Sequence, residues 1–150
     1  MTDLFDDDAV TRLRVVLGRI ARQVDRQTSG GELTKTQFSI LTTAVRRGPI
    51  GAGEMAEIES LNPTMLSRMV SKMEAGGLLQ RSAHPDDRRS VMVSATDAGI
   101  ALHTELRDKR TRLFADHLAR LPEAKTRDLL GALPALEALA GEMCRSAAQS

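Results

Sequence analysis

Apolar residues recur at helical spacing over most of the chain. In residues 9–28 they form one narrow stripe, at steps of three and four positions. The members of this stripe are Val10, Leu13, Leu17, Ile20 and Val24. Residues 97–120 carry a similar pattern, and so does a last helix that is predicted to have Pro122 at its first position. Because this period places apolar side chains on one face, it predicts amphipathic helices at both ends of the chain. Pro134 interrupts the last helix and should kink or split it.

A second helix has the clearest start in the sequence. Thr34 is followed three residues later by Gln37, which is the spacing of a capping box. Leu33 and Phe38 occupy the positions of a hydrophobic staple. Gly48-Pro49 should end this helix, and the isoleucine that follows could begin a very short strand.

Two more helices follow, over residues 54–59 and 63–75, and the brief turn between them predicts a helix-turn-helix. Asn62 is an N-cap residue, Pro63 suits the first helical position, and Gly76-Gly77 stops the second helix. One side of this helix is apolar, while the other is small, polar and basic, as in a helix that enters the major groove. Its outward residues are Thr64, Met65, Ser67, Arg68, Ser71 and Lys72.

Residues 78–82 and 90–94 are predicted to form a β-hairpin after this helix. Arg88 and Arg89 lie near the tip of the hairpin, where arginine side chains can enter the narrow minor groove. Asp87 could pair with Arg89 and fix its direction. A solvated surface helix and an ordinary charged hairpin would each explain one part, but the two in succession favour a DNA-binding wing.

Composition and charge agree with this interpretation. The 150 residues carry a net charge of +1, so the protein is not a polycation, yet nucleic-acid binding requires only a basic face. The cations gathered near the predicted interface are Arg68, Lys72, Arg81, Arg88 and Arg89. Cys144 is the single cysteine, which fits a reducing cytosol. With no secretory or membrane-spanning pattern, we expect a cytoplasmic protein that does not enter membranes.

Catalytic and metal chemistry find little support in the sequence. The three histidines, His84, His103 and His117, have no histidine or cysteine partner at metal-binding spacing. No glycine pattern of a nucleotide-binding loop and no triad arrangement occurs. We therefore expect neither an enzyme nor a cofactor or metal site.

The first and last helices both carry apolar stripes that a small wing-bearing domain cannot cover. Two subunits that pack these helices together would form a two-fold dimer. Such a dimer would present two recognition helices to successive major grooves, about 34 Å apart.

The middle of the chain resembles the MarR family of winged-helix transcription regulators. The resemblance lies in the order and spacing of several short motifs between residues 33 and 99. These are Leu33-Thr34-x-x-Gln37-Phe38-x-x-Leu41, Gly48-Pro49, Met55-Ala56-Glu57, Met73-Glu74-Ala75-Gly76-Gly77-Leu78-Leu79-Gln80-Arg81, Pro85-Asp86-Asp87-Arg88-Arg89-Ser90 and Thr96-Asp97-Ala98-Gly99.

This resemblance implies a mainly α (α+β) fold with the order α1-α2-β1-α3-α4-β2-β3-α5-α6. It also implies one domain over residues 1–150, with a winged helix-turn-helix core over 33–99 and dimerisation helices over 4–30 and 100–148. Members of the family usually repress genes as homodimers on palindromic double-stranded DNA, often next to their own gene, so the resemblance implies a repressor of its own or neighbouring genes. Many release the DNA when a small phenolic or lipophilic compound binds.

Two sets of site residues follow. The predicted DNA-binding residues are Asn62, Pro63, Thr64, Met65, Ser67, Arg68, Ser71, Lys72, Arg81, Asp87, Arg88 and Arg89. The predicted effector-binding residues are Arg14, Leu17, Ile20, Phe38 and Met69, with Arg14 as partner of an anionic group. The alternative function is a helical protein-interaction module that kept the winged fold without binding DNA.

Overall fold

The structure is a computed structural model that describes residues 6–28, 31 and 33–147. The ends of the predicted dimerisation segments, at residues 4, 5, 29, 30 and 148, lie outside the described residues. Elsewhere the mainly helical fold with a small sheet is confirmed. Its elements are α1 (Asp7–Thr28), α2 (Lys35–Arg47), β1 (Ile50–Gly51), α3 (Ala52–Ile58), α4 (Pro63–Ala75), β2 (Leu79–Ala83), β3 (Val91–Ala95), α5 (Asp97–Leu118), α6 (Glu123–Gly131) and α7 (Leu133–Ala147).

The chain forms two compact units that divide within α5, between Arg110 and Thr111. The first unit contains α1 to β3 and most of α5. The second contains the end of α5 together with α6 and α7.

Helix α2 begins as its sequence predicts. The Thr34 hydroxyl accepts a hydrogen bond from the backbone N–H of Gln37, at 3.2 Å. The Gln37 side chain in turn accepts one from the backbone N–H of Thr34, at 3.0 Å. This reciprocal pair satisfies two backbone donors at the helix start and confirms the capping box.

The three strands form an antiparallel sheet in the order β1-β3-β2. Ile50 pairs with Val93 in β3, and Arg81 of β2 pairs with Val93 from the other side. The hairpin strands are each shifted by one residue toward the C-terminus from their predicted positions. The wing follows the recognition helix in the sequence, and the sheet also places it next to that helix in the fold.

The buried core lies inside the winged-helix part of the first unit. It is aliphatic and contains methionine, as the low aromatic content predicts. Its members are Ile40, Leu41, Ala44, Ile50, Met55, Ala56, Leu66, Val70, Met73, Leu79 and Val93. Every element from α2 to β3 contributes to it, so the core fixes α4 against the sheet.

Several helix boundaries also differ from prediction by one or two residues. Helix α3 begins at Ala52 rather than Glu54, so its N-cap is Gly51. Pro122 was predicted at the first position of the last helix but occupies the N-cap of α6 instead. Each difference spans only the one or two residues over which helix ends commonly vary.

The predicted last helix is divided into α6 and α7. The break falls at Ala132, and Pro134 is the second residue of α7. A proline is well tolerated there because the first-turn N–H groups have no partner inside the helix. The prediction that Pro134 would kink or split this helix is therefore confirmed. No helix within residues 6–28 or 33–147 is long and apolar enough to cross a membrane.

Candidate nucleic-acid interface

Helix α4 has one face in the core and the other in solvent. Leu66, Val70 and Met73 are buried, and Met69 is partly buried against them. The six residues predicted to face outward are all exposed, and they include Met65, which is 45% exposed. The helix therefore presents the small, polar and basic surface that its sequence predicts.

The start of α4 is held by its N-cap residue. The Asn62 side-chain oxygen accepts a hydrogen bond from the backbone N–H of Met65, at 2.8 Å. Pro63 occupies the first helical turn, where its missing N–H costs nothing. This cap fixes the exposed N-terminal end of the recognition helix, the end that commonly enters the major groove in such proteins.

Two cations lie on the exposed face of α4. Arg68 and Lys72 form no ion pair with any residue that the structure describes. Both side chains can therefore reach a phosphate or a base edge without first breaking a bridge.

The tip of the wing is a turn organised by Asp87. One carboxylate oxygen accepts a hydrogen bond from the backbone N–H of Arg89, at 3.0 Å. The other accepts one from the Ser90 hydroxyl, at 3.1 Å. These bonds, the Arg89 N–H first, lower the pKa of Asp87 below its ordinary 3.8. The predicted pairing of Asp87 with Arg89 thus involves the backbone, which leaves the guanidinium exposed.

Arg81 makes several contacts inside the protein. Its Nη1 lies 3.1 Å from the Glu74 carboxylate, and its Nη2 donates to the Ser67 carbonyl at 2.9 Å and to the Ser71 hydroxyl at 3.0 Å. The guanidinium therefore faces α4 while Arg88 and Arg89 remain exposed. The predicted DNA contact of Arg81 stays a prediction, and the sequence did not single out Glu74.

The five predicted effector residues do not share one environment. Leu17 and Ile20 are exposed on α1 beside Arg14, while Met69 packs against the core from α4. Phe38 is half-buried on α2. An apolar cavity of about 140 Å³ does exist in the first unit, but none of the five lines it. Its lining residues are Ala52, Gly53, Pro63, Leu66, Ser67, Val70, Arg81, Val91 and Val93.

Phe38 belongs instead to a cluster that joins α1, α2 and α5. Its ring stacks on His103, with centroids 5.7 Å apart, and the Arg110 guanidinium lies 4.2 Å from its centroid. Asp25 of α1 reaches Arg110 at 3.8 Å and Lys35 at 2.9 Å. The sequence offered no signal for this cluster, because its members come from three separate helices.

His103 is buried, and its pKa is lowered from the ordinary 6.5. Burial is the larger cause, followed by the positive charges of Arg107 and Arg46. The neutral imidazole is therefore the favoured form in the folded protein.

The described part of the chain contains no group of three or more histidine, cysteine or acidic residues that could hold a metal ion. Cys144 is an exposed free thiol on α7.

Known proteins share both the sequence pattern and the fold. The family model described as MarR family matches residues 33–91. The uncharacterized HTH-type transcriptional regulator Mb0904 of Mycobacterium bovis is 30% identical over 129 residues, which cover 85% of this chain and 90% of that protein.

Solved structures extend the likeness to nearly the whole chain. A MarR family protein from Bacillus stearothermophilus superposes with a TM-score of 0.79 at 22% identity, covering 93% of this chain and 99% of that one. A point mutant of S. aureus MepR, solved bound to an oligodeoxyribonucleotide, gives a TM-score of 0.66 at 14% identity. It covers 91% of this chain and 99% of that chain.

MarR family members are transcription regulators and not enzymes. The capped and exposed α4, the wing after it, the family match and the mycobacterial relative agree, and we conclude that this chain belongs to the MarR family of winged-helix transcription regulators.

Proposed function

We propose that the protein is a cytoplasmic, homodimeric repressor that binds palindromic double-stranded DNA and releases it when a small aromatic or lipophilic molecule binds. The observation that carries the DNA-binding part is the pair of cations, Arg68 and Lys72, on the exposed face of a capped helix. The MepR mutant bound to an oligodeoxyribonucleotide is a precedent in a protein of the same fold.

In this proposal α4 enters the major groove. Arg68 reads base edges, where a guanidinium can form two hydrogen bonds with one guanine. The small hydroxyl side chains Thr64, Ser67 and Ser71 allow close approach, and Lys72 contacts phosphate. Asn62, Pro63 and Met65 belong to the same approaching end of the helix.

The wing would lie over the adjacent minor groove. Arg88 and Arg89 are exposed on a turn that Asp87 holds through two hydrogen bonds. A preorganised turn loses less conformational entropy on binding than a free loop. The negative potential of a narrow minor groove favours arginine at such a position.

Dimerisation is supported by apolar side chains that this chain leaves uncovered. On α1 the exposed set is Val10, Leu13, Val15, Val16, Leu17 and Ile20. On α6 and α7 the exposed set is Leu129, Leu130, Leu133, Leu139 and Met143. Apolar surface of this extent favours a protein partner over solvent, and a second copy would also supply the second recognition helix of a palindrome reader.

The effector part of the proposal rests on Phe38. Its half-buried ring is stacked on His103 and covered by Arg110, so an aromatic acid would bind at the edge of this cluster and pair with the Arg110 guanidinium. Arg14, Leu17, Ile20 and Met69 remain proposed contacts that would have to come together in the dimer or on binding.

The direct test is selection of bound sequences from genomic fragments, followed by footprinting on the recovered site. The expected result is a protected palindrome with two half-sites about one helical turn apart. Absence of any protected sequence, with correctly folded protein, would favour the protein-interaction module instead. A panel of aromatic acids added to the bound complex then tests release, and no release and no thermal shift would contradict the effector part.

A further inference from the structure

The wing and the recognition helix are joined by a polar contact between Glu74 and Arg81. Glu74 lies in the last turn of α4, and one oxygen of its carboxylate accepts a hydrogen bond from the backbone N–H of Arg81, at 3.0 Å. The other oxygen receives the guanidinium at 3.1 Å. One acidic side chain thus binds both the backbone and the side chain of a β2 residue.

The same guanidinium extends along α4 toward its N-terminus. Its second nitrogen bonds the carbonyl of Ser67 and the hydroxyl of Ser71. Arg81 therefore contacts α4 at three positions spread over two turns, and its planar group holds fixed directions that an ammonium could not. We call this set of contacts, made by Glu74, Ser67, Ser71 and Arg81, the clamp.

The core fixes α4 against the sheet, but the packing leaves an apolar pocket beside the clamp. The apolar cavity of about 140 Å³ lies between α4 and the sheet, and Arg81 is one of its lining residues. Apolar contact is incomplete there, and the clamp adds polar contacts to the core packing that sets the spacing between helix and wing.

From these contacts we infer that Glu74 and Arg81 are positioning residues for operator binding. They would set the distance and angle between the recognition helix and the wing, so that both reach their grooves together. Arg81 would then act through the protein rather than by contacting a phosphate. This inference rests on the proposed DNA-binding function.

The negative charge of Glu74 makes the two possible roles of this residue distinguishable by the direction in which DNA affinity changes. A carboxylate near bound DNA repels phosphate, so its removal should strengthen binding if charge were its only role. Removal of a positioning carboxylate should weaken binding, because the wing would then have to be ordered on the DNA. The two roles therefore predict opposite effects for Glu74→Ala.

Operator affinity measured by fluorescence anisotropy over a salt series separates these roles. We expect Glu74→Ala to weaken binding about tenfold, roughly the size of one lost hydrogen bond to a charged group. The control is Glu57→Ala, which removes an exposed glutamate of α3 that forms no ion pair with any described residue. It should leave affinity unchanged or slightly increase it.

Arg81 is tested by two substitutions. Arg81→Ala should weaken binding with an unchanged salt slope, whereas loss of a phosphate contact would reduce the slope by about 0.9. Arg81→Lys should remain impaired, since an ammonium can replace a phosphate contact but not the fork of the clamp. Combining Glu74→Ala with Arg81→Ala should cost no more than Arg81→Ala alone.

The clamp can also be tested without DNA. Amide hydrogen exchange over β2 should accelerate in Glu74→Ala and not in Glu57→Ala, because the Arg81 N–H loses its acceptor. If the wild-type protein bound no operator, the proposed function would be wrong. The hydrogen-exchange measurement would still test the clamp, because it needs no DNA. Unaltered exchange, or a Glu74→Ala protein that binds DNA as tightly as wild type, would overturn the inference.

Discussion

Arg68 and Lys72 lie one turn apart on the exposed side of α4, yet we expect them to contribute to binding in different ways. A guanidinium can recognise a base by two directed hydrogen bonds, while an ammonium mainly neutralises phosphate. Both are exposed and free of ion pairs within the described residues. Neither substitution removes an ion pair within the described residues, so a change in DNA affinity reports on the contact with DNA.

Arg68→Ala should reduce affinity for the operator by about 1–3 kcal/mol and relax the sequence preference at one base pair of each half-site. Lys72→Ala should weaken all sequences alike and lower the salt slope by about 1 per subunit. Anisotropy on operator and scrambled duplexes over a salt series measures both effects. Wild-type affinity in both variants would remove α4 from the interface.

His103 gives the winged-helix unit a dependence on pH. Its pKa is lowered in the folded protein by burial and by the charges of Arg107 and Arg46, while the unfolded chain should titrate near 6.5. Between the two values the unfolded state binds more protons, so the free energy of unfolding falls as pH drops below about 6.5. The loss is complete once pH is below the folded pKa.

Denaturant unfolding at pH 7.5 and pH 5.5 tests this expectation. His103→Phe keeps an aromatic ring against Phe38 and should show a smaller difference in stability between the two pH values. The control is His117→Gln, which changes an exposed histidine. An equal pH dependence in wild type and His103→Phe would contradict the assignment.

Helix α5 closely approaches Leu78, the residue before β2, through a glycine. A Cβ built on Gly99 would collide with the Leu78 carbonyl and would lie 3.3 Å from the Leu41 side chain. The Thr96 hydroxyl caps this helix by accepting from the Gly99 N–H at 3.1 Å. The start of α5 is thus fixed both along its axis and against the core.

Gly99→Ala should therefore lower the free energy of unfolding by about 1–3 kcal/mol, the usual cost of overpacking. Gly53→Ala is the matched control, because a Cβ there meets nothing within 4 Å and α3 should gain helix propensity. Urea denaturation of both variants compares them directly. A Gly99→Ala protein as stable as wild type would show that α5 can move away from Leu78.

For the whole molecule, the uncovered apolar faces matter most. Leu13 on α1 is 46% exposed although it belongs to the helix's apolar stripe. A protein that leaves such a stripe in solvent would associate or aggregate. A defined two-fold dimer is the outcome that also suits palindromic DNA.

Leu13→Glu should convert the proposed dimer to monomer in analytical ultracentrifugation. Because a monomer engages only one half-site, operator affinity should fall by at least about tenfold. Gln23→Glu adds the same charge on an exposed polar position of α1 and should remain dimeric. A monomeric wild-type protein at micromolar concentration would contradict the proposed assembly.

Short-range interactions determined what could be predicted from the sequence alone. Four correctly predicted features each depend on residues within a few positions of one another. They are the capping box at Thr34, the Asn62 cap, the exposed and buried faces of α4 and the division near Pro134. Apolar period and turn residues also located the wing to within one residue. The family resemblance could be recognised because these short motifs occur in a characteristic order along the chain.

Only the tertiary structure decided which distant side chains meet. Arg81 looked like one more cation of a basic face, but strand alternation and the packing of β2 beside α4 turn it toward Glu74. One cluster joins side chains that no local pattern connects, namely Asp25, Phe38, His103 and Arg110. Such contacts depend on strand register and helix packing, which arise when the whole core assembles, and so they could not be predicted from spacing in the sequence.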